Sequence, residues 1–219
     1  MLRKDILTTG QIYHIFNRGV NKADIFFSEK DYKRFTTTAI HYKNFTQKFT
    51  ATIVSGISDT VSEKSEKLNR MEKPKVEIFA YCLMPNHFHF LVKQLEDDGI
   101  TWFMQHLANS YVHYLNLKYK RVGPLFQGPF KNVLIESDEQ LLHVSRYTHL
   151  NPLVSGLVAD LKNYPWSSYH SYIGGGEDGL SNPELILRNF KTKNDYEQFV
   201  LDQADYAKSL EDMKHHLLD

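Results

Sequence analysis

Short β-branched and aromatic stretches alternate with longer runs of helical spacing, and this change of period divides the chain into elements. Gln11-Ile12-Tyr13-His14-Ile15-Phe16-Asn17 predicts a first strand, which the turn Arg18-Gly19-Val20-Asn21 ends. Behind Ser28, an N-cap with Asp31 at the capping-box position, Tyr32, Phe35, Ala39, Tyr42 and Phe45 recur at three- and four-residue steps, predicting a helix over 29–49. A second strand over 76–82 is bent by Met84-Pro85-Asn86 and leads into a third over 87–94. Phe103, Leu107, Tyr111, Tyr114 and Leu115 mark one face of a helix over 100–119, which Gly123-Pro124 stops. Short strands are expected at Leu125-Phe126-Gln127 and Asn132-Val133-Leu134-Ile135, around a Gly128-Pro129 kink. Asp138 then caps a helix over 139–150, ended by Asn151-Pro152 because the residue before a proline is pushed out of helical geometry.

This order predicts an α+β fold in which an antiparallel sheet is covered by helices on one face. Residues 52–74, rich in Ser, Lys and Glu without sustained periodicity, predict a flexible, exposed insertion. After a turn and short helix at Tyr164-Pro165-Trp166-Ser167-Ser168-Tyr169, Gly174-Gly175-Gly176 breaks the chain. The expected division is a main domain over 1–173 and a C-terminal helical tail over 174–219, its helices starting near Pro183 and Asn194.

At 219 residues and 42% hydrophobic content the chain can bury a full core. It has neither an apolar run long enough for a membrane span nor a signal-peptide core over 1–10, so a cytoplasmic protein without a membrane partner is expected. The single cysteine, Cys82, cannot form an internal disulfide and reads as a small buried apolar residue. Net charge is zero, but it is unevenly placed: residues 1–176 hold 16 acids and 21 bases, a surplus of five positive charges. Within them, 99–135 contains no Asp or Glu, while Lys118, Lys120, Arg121 and Lys131 alternate with Tyr111, Tyr114, Tyr119, Phe126 and Phe130. Bases interleaved with aromatics suit a groove that neutralises phosphates and stacks unpaired bases, and a solvated basic helix would carry the same pattern.

Candidate chemistry starts at His87-Phe88-His89. On a strand, residues two apart share a face, so both imidazoles project to one side and can share a cation, although two surface histidines would show the same spacing. On the helix over 139–150, His143, Tyr147 and Asn151 form a series of four-residue steps on one face. A phenol one turn from an amide, in a chain with a two-histidine strand, suggests phosphoryl transfer in which a cation polarises the phosphate and the phenol oxygen attacks it. Tyr111 and Tyr114 are the next candidates for the nucleophile.

Four stretches, in order, resemble the single-tyrosine HUH transposases, specifically the REP-associated tyrosine transposase branch with its IS200-like domain. They are Tyr13 to Gly19, Tyr81 to Val92 with its Met-Pro-Asn-His-x-His core, Gly123 to Gly128 with Phe130-Lys131, and Ser145 to Pro152 continuing to Gly156-Leu157-Val158 and the Tyr164-Pro165-Trp166 segment. The resemblance implies a ferredoxin-like domain with a C-terminal helical extension. It implies Tyr147 as nucleophile and His87, His89 and Asn151 as ligands of Mg²⁺ or Mn²⁺; DNA contacts are expected from Asn17, Arg18, Lys118, Lys120, Arg121 and Lys131. The expected activity is cleavage and rejoining of single-stranded DNA beside REP-like hairpins through a 5′-phosphotyrosine. Monomer and homodimer both stay open, as do a domesticated DNA-binding protein with the same fold and a phosphodiesterase that uses water. Relatives often carry arginine where this chain has Pro129, which removes an expected phosphate contact and leaves Lys131.

Overall fold

Residues 6–49 and 73–204 are described by the structure, a computed structural model. In chain order the elements are β1 (Ile12–Arg18), α1 (Glu29–Asn44), β2 (Val76–Met84), β3 (His87–Gln94), α2 (Gly99–Lys118), β4 (Lys131–Leu134), α3 (Asp138–Val154), α4 (Tyr169–Tyr172), α5 (Glu184–Leu187) and α6 (Lys193–Leu201). The strands form one antiparallel sheet in the order β2-β3-β1-β4, which with the βαββαβ chain order is ferredoxin-like.

Period-two alternation gives each side of the sheet its own core. One side presents Tyr13, Ile15, Phe88, Phe90 and Val92 to Phe35 and Ala39 of α1 and to Phe103, Leu107 and Tyr111 of α2. The helical spacing of these apolar residues is what the sequence showed, and their burial accounts for the covered face. The C-terminal extension returns over the second side, where Ala80 and Leu91 meet Leu141, Leu150 and Leu153 of α3 together with Tyr172, Ile186, Tyr196 and Val200. The extension also satisfies the outer edge of β2: Trp166 O accepts from Leu83 N at 2.9 Å, Tyr81 O from Ser168 N at 3.0 Å, and Ile78 O from Asn182 N at 2.8 Å. An otherwise open sheet edge is thereby covered.

Several boundaries differ from the sequence expectation. α1 ends at Asn44 rather than 49. Leu125-Phe126-Gln127 forms no strand, only an isolated bridge between Phe126 and Gly19, because the Gly-Pro pairs on both sides deny it a ladder. The N-cap of α3 is Ser137, whose hydroxyl accepts from Gln140 N, and Asp138 sits in the first turn. Pro152 does not stop α3, which runs to Val154. Leu150, Pro152 and Leu153 are buried, so packing holds the last turn despite the missing N–H. Of the expected insertion, 52–72 lies outside the described residues, as does 205–219 of the tail.

His149 of α3 joins the extension to the sheet. Its Nδ1 is hydrogen-bonded to the Tyr196 hydroxyl at 2.8 Å and its Nε2 to Ser168 Oγ at 2.7 Å, while Ser168 Oγ accepts from Tyr81 N at 2.8 Å. Burial lowers its pKa to about 3, so the folded state does not take the proton that the unfolded chain binds near 6.5. The stability associated with neutral His149 is therefore complete above about pH 6.5 and is lost as pH falls toward 3. Denaturant titrations should show a loss of about 2 kcal/mol from this group by pH 5. His149→Gln should make the pH slope shallower.

Candidate active site

β3 is buried through Phe88 and Phe90 on the α1/α2 side, and that anchoring forces His87 and His89 onto the opposite face. The two rings are perpendicular with centroids 4.9 Å apart. His87 is half-buried and its Nδ1 lies 2.5 Å from Asn86 Oδ1. His89 is buried. Its Nδ1 is 2.8 Å from Nε2 of His14, a β1 residue whose ring stacks on it at 5.0 Å. Burial lowers the His14 pKa to about 4; burial, then the neighbouring His14 and His87, hold that of His89 well below the ordinary imidazole value. Both rings are neutral at pH 7, the form that donates a lone pair to a cation. Nε2 of His89 is buried and has no hydrogen-bond partner.

Across this pair α3 lays Tyr147, its ring edge-on to His89 at 5.4 Å and to His14 at 6.0 Å. Its neighbours on the helix, Thr148, His149 and Leu150, are buried, whereas Tyr147 remains 52% exposed and accessible to a large substrate. Asn151, one turn on, donates from Nδ2 to Tyr147 O at 2.7 Å, which leaves its amide oxygen as the atom able to approach a cation. Among the described residues no group of three or more His, Cys, Asp or Glu is gathered for a metal. The orphaned His89 nitrogen fits a cation nonetheless, and a two-imidazole and amide-oxygen set with open positions suits Mg²⁺ or Mn²⁺.

The alternative nucleophiles lie on the other side of the sheet. Tyr111 is buried and donates to Ile25 O at 2.6 Å, and Tyr114 donates to Asp31 at 3.0 Å. Cys82 is buried in a small separate cluster with Met84 and Tyr164, where the lack of solvation pushes its thiol up.

The six basic or polar positions expected at DNA have different surroundings. Arg18 pairs with His87 and Lys131 with Phe16, so cross-strand register puts both on the histidine face, and both are exposed. Asn17 is a local clamp: its Nδ2 donates to Gly128 O at 3.0 Å and its Oδ1 accepts from Arg18 N at 2.9 Å. The clamp joins β1 to the loop carrying Lys120 and Arg121, which also returns through Gln127 N to Arg18 O at 2.9 Å. The turn after Arg18 requires Gly19, since a Cβ there would lie 2.1 Å from Ala23 O. Lys118, by contrast, is committed to the fold. Its ammonium meets the fully buried carboxylate of Asp31 at 2.6 Å, a group also hydrogen-bonded by Tyr114, Tyr119 and Ser28. Desolvation raises the Asp31 pKa, but these donors outweigh it and hold the carboxyl below its ordinary range.

Three residues on this face were not singled out from sequence: His14, Phe16 and Val133. Their signal was available in period two along β1 and β4, but only the observed pairing aligns them with His89.

The transposase IS200-like family model matches residues 41–150, just over half of the chain. This chain belongs to the IS200-like transposase family. Similar proteins include a Haemophilus influenzae protein named as a REP-associated tyrosine transposase, 28% identical over 61% of this chain and 84% of that relative. An Escherichia coli K12 REP-associated tyrosine transposase is 25% identical over 46% of this chain and 58% of that relative. A solved structure described as the REP-associated tyrosine transposase bound to a REP hairpin aligns with TM-score 0.54 at 14% identity, covering 84% of this chain and 89% of that one, and shows a shared fold. Among the described residues no helix is long and apolar enough to cross a membrane.

The two lysines therefore differ in what their removal costs. Lys118→Met, which leaves the Asp31 charge buried without its cation, should destabilise by about 2 kcal/mol in chemical denaturation. Lys131→Met should stay within about 0.5 kcal/mol of the parent.

Proposed function

We propose that this IS200-like family member is a metal-dependent single-stranded DNA transposase that cleaves and rejoins DNA beside hairpins, REP-type hairpins in the first instance, through a 5′-phosphotyrosine on Tyr147. One observation carries the reading: a half-exposed phenol stands edge-on to the buried, neutral His89 ring and to its hydrogen-bonded neighbour His14, on the side of the sheet that α3 covers. The solved structure with a REP hairpin, together with the names of the two relatives, supports the substrate class.

Tyr147 Oη attacks the scissile phosphorus as the P–O3′ bond breaks; the phenol loses its proton and the departing 3′-oxygen gains one. The product strands are a 5′-phosphate esterified to Tyr147 and a free 3′-hydroxyl. Attack by a 3′-hydroxyl on the phosphotyrosine reverses the exchange, one phosphoester replacing another, so no outside energy source is needed. A free tyrosine titrates near ~10 and is a weak nucleophile at neutral pH. Mg²⁺ or Mn²⁺ held by His87, His89 and Asn151 would polarise the phosphate and favour the phenolate. Arg18 on β1 and Lys131 on β4, both to one side of the histidine strand, would neutralise the DNA strand, and the Phe16 ring and exposed Val133 on the same face offer an apolar surface to an unpaired base.

With a labelled hairpin carrying a single-stranded flank, the wild-type protein and Mn²⁺ should form a covalent adduct that survives denaturing electrophoresis. Tyr147→Phe should form none while binding the DNA within about twofold. An adduct retained by Tyr147→Phe moves the nucleophile elsewhere, and a wild-type protein that binds without any adduct is a DNA-binding relative that has lost the chemistry. Lys131→Met should lower the salt dependence of hairpin binding by about one unit of log–log slope.

A further inference from the structure

His14 lies outside the part of the chain that the family model matches, yet it makes the closest polar contact to the buried ligand candidate. Its Nε2 and His89 Nδ1 are 2.8 Å apart with rings stacked at 18°. Each neutral imidazole carries one N–H, so one proton occupies this contact and its owner decides what the far nitrogen of His89 can do.

If His14 were the donor, the only proton of His89 would sit on Nε2, a buried N–H without an acceptor. Orphaned buried N–H groups are rarer than under-used acceptors, and one costs about 1–3 kcal/mol. If His89 is the donor, Nε2 is a bare lone pair, an atom that a cation can complete. Metal-bound histidines commonly donate their second N–H in this way, usually to a carboxylate or carbonyl. Here the acceptor is a neutral ring, which orients His89 without adding negative charge, so a bound cation would keep its full charge for DNA phosphates.

We propose that His14 is a positioning residue: it accepts the Nδ1 proton of His89, fixes that tautomer, and leaves Nε2 unprotonated for the metal. The purpose assigned to the tautomer rests on the metal-dependent reading above; the tautomer itself does not. The other groups packed on the pair are the Phe16 ring, at 5.0 Å from His14 and 6.1 Å from His89, the half-buried His87, and the Tyr147 ring. Phe16 offers no competing hydrogen bond.

Long-range ¹H–¹⁵N correlation of the ring nitrogens in metal-free protein at pH 7 reads the tautomer directly. The expected result is His89 protonated at Nδ1. In His14→Phe the proton should move to Nε2 in part or whole, and Mn²⁺ affinity measured by electron paramagnetic resonance should fall about tenfold or more. His14→Gln, whose amide oxygen can accept where Nε2 stood, should restore both. A wild-type His89 protonated at Nε2 would overturn the proposal without any variant, as would a tautomer unchanged in His14→Phe. If His89 is protonated at Nδ1 but the wild type fails to bind Mn²⁺, the role of His14 stands and the metal-dependent reading falls.

Discussion

Antiparallel pairing between β1 and β3 is the constraint on which the site depends. With Phe16 opposite His89 and Arg18 opposite His87, residues two apart on each strand are bound to fall on the same side of the sheet. A slip of one residue in β3 would turn His87 and His89 into the α1/α2 core and Phe88 and Phe90 onto the α3 side, and a slip in β1 would do the same to His14. The register is held by that core: burying a phenylalanine is worth roughly 1.5–3 kcal/mol, and β3 commits two of them, with Tyr13 and Ile15 opposing the slip from β1. The apolar side of the sheet thus specifies the geometry of the polar side.

A second constraint brings the phenol to the imidazoles. α3 would be a lone helix on an open sheet face if the chain ended at its C-terminus, with Leu141, Leu150 and Leu153 as its buried contacts to that core. The following segment wraps β2, closes its edge and returns α6 against α3, with His149, Ser168 and Tyr196 bonded through the interior. Position 147 is consequently held by its buried helix neighbours Thr148, His149 and Leu150 while its own ring stays half-exposed. The C-terminal extension is part of what places the nucleophile candidate, and separating it from the main domain would remove that support.

How much of this could be read from the chain differs by element. Strands and long helices followed from period, because burial of Phe88, Phe90, Phe103 and Leu107 leaves a direct imprint on spacing. Pairing of His87 with His89 followed from the same rule, needing only the strand itself. The role of His14 was hidden, since no local rule says which two strands are neighbours or in what register. Lys118 had the composition of a phosphate contact, but its partner Asp31 is 87 residues away in sequence, and only the α1–α2 packing joins them. Pro152 misled for a related reason: a local rule against helix continuation was outweighed by burial of the turn that follows it.

The central claim is that one cation on the imidazole pair and the Tyr147 phenol act on the same phosphate. Anomalous diffraction from crystals grown with Mn²⁺ and a hairpin carrying a single-stranded flank tests it most directly. The account predicts a manganese peak within coordination distance of ring nitrogens of both His87 and His89, with the Tyr147 hydroxyl on the same side of the sheet facing a backbone phosphate. A manganese ion bound elsewhere, or a Tyr147 hydroxyl turned away from the phosphate in the loaded complex, would contradict it.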